Sequence, residues 1–96
     1  MTYLKMGEWR FLRNEKASQR GKKYQAVLIN ERTQRERRVP YGDTRYEQYR
    51  DSTGLGVWSH KNHLDKKRRK SYKARHSAYT KPGFYSPGYF SMKYLW

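Results

Sequence analysis

The sequence predicts a small α+β domain: an N-terminal antiparallel β meander, then a short helix, a basic helix and an aromatic C-terminal helix. Three observations carry this. "KYQAVLI", Lys23 to Ile29, is the chain's only aliphatic run, and it alternates. "NHLDKKRRKSYKARHSAY" sets Asn62, a good N-cap, ahead of a polar, helix-compatible run. "SPGYFSMKYLW", from Ser86, sets Pro behind a capping Ser and ahead of an aromatic-rich segment.

Taken in order, the first element is "EWRFLR", which alternates Trp9, Phe11 and Arg13 against Arg10 and Leu12. A polar loop, "NEKASQRGK", leads to the aliphatic strand, with Tyr24, Ala26 and Leu28 on one face and Gln25, Val27 and Ile29 on the other. "NERTQ" reads as a turn, and "RERRVPY" as the returning strand. Pro40 cannot donate to a ladder, so that strand ends there or lies at an edge. Beyond Gly42, Asp43 or Thr44 caps a short helix that holds Tyr46 and Tyr49 on one face. Gly54 and Gly56 break it. Asn62 caps the basic helix, which runs to about Ala78, with Asp65 in its first turn. Ser86 and Pro87 start the last helix.

Ninety-six residues make a single small domain, 1–96, and charge divides it. Residues 1–41 are basic and β-rich, with 11 cations and 4 acids. Residues 42–60 form a near-neutral waist with 2 cations and 3 acids, and 61–81 the basic helix with 9 and 1. Residues 82–96 are an aromatic tail with one cation.

The chain carries 23 Lys and Arg against 8 Asp and Glu, a formal charge of +15. Leu, Ile, Val and Phe together number only 13, a composition typical of disordered chains. The 16 aromatic residues argue the other way, since each buries on the order of 150–250 Å². A chain so poor in aliphatic bulk and so charged is expected to be ordered within a larger assembly. Without cysteine there is no disulfide or thiolate metal site. "MTYLKMGEWRF" lacks the apolar core of a secretory signal. No run approaches the roughly 18–20 apolar residues of a membrane span, so an intracellular site of synthesis is expected.

Five adjacent cations, Lys66, Lys67, Arg68, Arg69 and Lys70, stand in "HLDKKRRKSY". At about 100° per residue they encircle a helix. The apolar stripe available is thin: Leu64, Arg68, Tyr72, Arg75 and Tyr79, in which arginine stems supply part of the packing. With Lys73 and Arg75, the five cations are the candidate binding residues. A solvated face is the plain reading, but a charge of +15 opposes compaction unless a partner neutralises it. Acidic protein surfaces and nucleic acid both fit. Phosphate contacts need no fixed spacing, and interleaved Tyr residues suit base stacking. No signature of a sequence-reading module is present. The candidate aromatic anchors, within or between subunits, are Trp9, Trp58, Tyr89, Phe90 and Trp96.

Catalytic chemistry is not signalled. His60 and His63 have a spacing that can share a metal, but further ligands are missing, so no metal or cofactor is expected. Asp43, Glu47 and Asp51 recur every four residues, suited to pairing with Arg45, Arg50 or the basic helix rather than to acid–base work. No P-loop or paired-glycine fingerprint exists, so the chain is not expected to be an enzyme.

The order of motifs from residue 39 to 96 resembles a small family of basic proteins in the nucleocytoplasmic large DNA viruses, those of algae among them. The residues that carry it are Gly42, Tyr46 and Tyr49; His63, Leu64 and Asp65; Tyr72, Arg75 and His76; Gly83, Phe84, Tyr85 and Ser86; and Leu95 and Trp96. Tyr85 stands where that family commonly has Trp. The resemblance implies a virion component: a minor capsid protein beneath a shell of major capsid proteins, made in the host cytoplasm or nucleus, with no enzymatic activity. Its partners would be capsid proteins, major and minor, with possible contact to DNA. The alternative is a sequence-independent nucleic-acid-binding protein, for packaging or of ribosomal type.

Overall fold

The computed structural model describes residues 3–96, apart from the Tyr79 side chain. The strands are β1 (Leu4–Lys5), β2 (Trp9–Lys16), β3 (Lys22–Asn30), β4 (Glu36–Asp43) and β5 (Phe84–Tyr85). The helices are α1 (Lys66–His76) and α2 (Pro87–Tyr94), with single 3-10 turns at Ser59–Lys61 and Ser77–Tyr79. The α+β class and the meander expected from the sequence are both present: β2, β3 and β4 form one antiparallel sheet in that order.

The aliphatic run became the central strand because it alone can be covered on both faces. Tyr24, Ala26 and Leu28 face the core with Val39 and Tyr41 of β4. On the other face Val27 is also fully buried, flanked in register by Arg13 and Arg38. Glu15 holds both guanidinium groups, at 3.0 and 3.2 Å, so their stems are kept beside Val27. Pro40 lies inside β4 opposite Gln25, and β4 is an edge strand, where a missing donor costs no ladder bond.

The simple alternation expected for β2 is broken. A bulge between Phe11 and Arg13 puts Phe11 opposite Leu28 on the core side, and Arg13 opposite Val27 on the other. The extra residue lets one strand supply a ring to the core and a cation to the surface network. It also brings Asn14 to the core side, where it accepts from Tyr41 Oη at 2.9 Å.

The aromatic tail closes the core from within the chain. Ser86 caps α2, accepting from the Tyr89 amide at 3.2 Å, and Pro87 takes the first helical position, as expected. Phe90 is 1% exposed and lies among the rings of Phe11, Tyr41, Tyr85 and Tyr94, with centroids 5.5–6.4 Å away. Leu95 is equally buried and comes close to Gly42. Strands β1 and β5 pair antiparallel, Leu4 with Tyr85 and Lys5 with Phe84, fastening the N-terminal segment to the tail.

The waist forms no short helix. The Asp43 carboxylate accepts from the Arg45 amide and side chain, which fixes a turn and competes with helical bonds. Gln48 then turns inward. Its side chain donates to Trp58 O and Asn62 Oδ1, both at 2.7 Å, and its backbone pairs with that of Lys61 and His63. Asn62 is therefore not the cap of the basic helix. Asp65 is, accepting from the amides of Lys67 and Arg68 at 2.9 and 3.1 Å. The 3-10 turn Ser77–Tyr79 carries the end of α1 close to the expected boundary.

Two substitutions test this packing in urea titrations. Phe90→Ala should cost about 3–5 kcal/mol. Gly42→Ala should cost about 1–3 kcal/mol, because φ is +77° and its Cβ would stand 2.8 Å from Leu95 Cδ1. Losses below about 1 kcal/mol for both would mean that the tail does not close the core.

Candidate cationic interface

The basic helix is seated on the C-terminal segment by one narrow stripe. Arg69, Tyr72, Lys73 and His76 are its half-buried positions, at spacings of three, one and three. Tyr72 stacks on Trp96 with centroids 3.9 Å apart and planes 5° off parallel, and on His76 at 4.1 Å. Its hydroxyl meets Ser91 Oγ at 3.2 Å. Arg69 Nε donates to Trp96 O at 2.7 Å, and its guanidinium lies 4.8 Å from the Tyr49 ring centre. The expected stripe is corrected accordingly: Leu64 is 59% exposed, Arg68 and Arg75 are exposed, and only Tyr72 is shared. The Tyr79 part of that expectation lies outside the described residues. The phase is set by Trp96, whose flat indole stacks with Tyr72 and whose main-chain oxygen takes the Arg69 guanidinium, rather than by the few apolar residues of the helix.

The seven candidate cations therefore divide. Lys66, Lys67, Lys70 and Arg75 are exposed and form no ion pair with any described residue. Arg68 pairs with Glu47 at 3.0 Å, both about half exposed, a bond worth little in water. Arg69 and Lys73 turn toward the body. A groove of about 810 Å³ runs beside the helix, lined among others by Lys67, Arg68 and Arg75, with Tyr72, Leu95 and Trp96.

The five aromatic anchors all pack within the chain. Phe90 is in the core, and Trp9, Trp58, Tyr89 and Trp96 are half-buried against it. Trp58 is pinned from both ends: its amide donates to Tyr24 Oη at 3.1 Å and its Nε1 to Lys23 O at 3.2 Å.

Lys23 is a polar residue that sequence reasoning did not single out. It is 2% exposed, and its Nζ donates to Tyr46 O at 2.6 Å and Gln48 Oε1 at 2.5 Å. Burial, helped by the nearby Lys61 charge, pushes its pKa down to about 8. A neutral amine keeps two N–H groups, enough for both acceptors. One lysine among 23 cations gives no sequence cue to such burial. His63 Nδ1 accepts from the Asp65 amide at 2.9 Å, so the ring proton sits on Nε2, which is buried and unpartnered among the described residues. Desolvation, then the Arg68 charge, lowers its pKa. His60 stands 5.6 Å from the Trp58 ring. Among the described residues no three His, Cys, Asp or Glu side chains are grouped to hold a metal, and no helix is long and apolar enough to cross a membrane.

No family model, curated protein or solved structure matches the chain.

The Lys23 environment fixes a pH dependence. Between about 8 and its ordinary 10.5, the unfolded chain holds a proton that the folded chain has released, so stability rises with pH in that range. Above about 10 the buried Tyr24 and Tyr41 hydroxyls, both shifted upward by desolvation, oppose it. The urea midpoint should therefore climb from about pH 8 to 10, and Lys23→Met should flatten the climb. An equal climb in the variant would assign the effect elsewhere.

Proposed function

We propose that this chain is a non-enzymatic structural protein that adheres to an acidic protein surface through the outer face of α1. In the specific form suggested by the order of its motifs, it is a minor capsid, or cement, protein on the inner side of the shell of a large icosahedral DNA virus. The observation that supports adhesion most strongly is the asymmetry of α1. Its inner stripe is stacked and clamped on Trp96, while Lys66, Lys67, Lys70 and Arg75 project without acidic partners among the described residues. A helix that gains only one stripe of packing on its own domain is a rigid carrier of charge for something else. At +15 the chain repels itself and its copies, so an anionic assembly stabilises it by neutralisation.

Sequence-independent nucleic-acid binding draws on the same cations. Protein is favoured because the rings that stacking on bases would need are mostly turned inward; of the described large hydrophobic rings only Tyr3 and Tyr46 are exposed.

Particle fractionation tests the proposal. The chain should sediment with assembled shells, remain with shell proteins after nuclease digestion, and leave them when Lys66, Lys67 and Lys70 are all changed to Glu. Release by nuclease, or fractionation with nucleic acid after the shell is removed, would favour the nucleic-acid reading instead.

A further inference from the structure

A second cationic feature lies on another flank of α1, where two of the candidate cations, Arg69 and Lys73, come together with Arg50 and Lys93, which the charge run does not include. A cleft of about 470 Å³ separates α1, α2 and the waist, and Arg50, Arg69, Lys73 and Lys93 line it together. No acidic side chain is among its lining residues; Ser52 and Tyr49 are. The four cations come from three parts of the chain, so the fold, rather than sequence proximity, brings them together. None of the eight acidic residues lines the cleft, the nearby Asp51 carboxylate being taken up by Tyr24 and Thr53, and the six ion pairs of the described residues use none of these four cations. Arg69 engages Trp96 O through Nε alone, which leaves its terminal N–H groups without a hydrogen-bond partner among the described residues. Among the described residues the Lys93 amine lies over the Tyr89 and Tyr94 rings, 5.8 and 5.7 Å from their centres, with no acidic partner.

We propose that this cleft is a binding site for a phosphoryl anion of multiple charge, of the pyrophosphate or phosphodiester kind. Four like charges lining one cleft repel each other unless a counter-charge sits between them. A single carboxylate neutralises one of four; a di- or polyanionic phosphoryl group neutralises more, and its oxygens match the planar forks of two arginines. Ser52 adds a neutral donor. The site is separate from the outer face of α1, so it stands or falls independently of the adhesive role.

The test is a titration of the whole chain with inorganic pyrophosphate, against sodium chloride at matched ionic strength. The melting temperature should rise by roughly 4–8 °C at saturation. Backbone amide shifts should concentrate at residues 50–52, 69, 73 and 93. Arg50→Gln with Lys93→Gln, two exposed rim positions, should weaken binding at least about tenfold. Lys66→Gln with Lys67→Gln and Lys70→Gln, which removes charge outside the cleft, should weaken it clearly less than the rim pair does. A short oligonucleotide that displaces pyrophosphate makes the phosphodiester backbone the source of the phosphoryl group; one that does not makes it a free phosphate compound. No response beyond sodium chloride, or equal loss in both variants, overturns the proposal.

Discussion

The fold depends on rings replacing aliphatic bulk around Phe90. With Leu, Ile, Val and Phe at only 13 residues, no aliphatic core of ordinary size is possible. Phe90 instead gathers Phe11 from β2, Tyr41 from β4 and Tyr85 from β5, with Tyr94 one turn further along α2. Each such pair adds about 0.5–1.5 kcal/mol beyond its buried area. Through these contacts one side chain ties the meander, the small second sheet and the C-terminal helix into one body. The hydroxyls that come with tyrosine are satisfied at the margin: Tyr41 donates to Asn14, and Tyr24 to Asp51. The same tail then offers Trp96 as the seat for α1, so the basic helix is held through the aromatic core rather than by apolar residues of its own.

The electrostatics follow from how the acids are used. Glu15 is shared by Arg13 and Arg38, Glu31 holds Arg10, Asp43 holds Arg45 and Glu47 holds Arg68. Asp51 joins Tyr24 and Thr53, and Asp65 caps α1. The acids thus serve local structure, and most of the cations are left facing outward. Since the hydrophobic closure is internal, what a neighbour contributes in the proposed assembly is charge, not apolar surface.

Much of the fold was legible because it rests on local signals. The alternation of Lys23 to Ile29 and the Ser86–Pro87 helix start each encode their element within a few residues. The misses lie where distant groups decide. The waist looked helical by capping residue and spacing, yet Gln48 is drawn inward by Trp58, Asn62 and Lys23, which lie 10 to 25 residues away. The phase of α1 was one residue off because Trp96, 24 positions after Tyr72, sets it. β1 and β5, of two residues each, are too short to show any periodicity. Of the candidate site, the charge run marked the outward cations Lys66, Lys67 and Lys70, and Arg75 was marked beyond it. It gave no warning that Arg69 and Lys73 turn inward to meet Arg50 and Lys93.

The central claim is that a ring-built core closes the chain by itself while an excess of positive charge strains it from outside. The most direct measurement is the unfolding of the isolated chain, followed by near-ultraviolet circular dichroism, from about 20 mM to about 500 mM sodium chloride, a range over which the screening length falls from above to below about 10 Å. A single cooperative transition is expected, with a midpoint that rises steadily as salt screens the self-repulsion. A chain with no cooperative transition at any salt would contradict the self-closed core; a midpoint indifferent to salt would contradict the account of its charge.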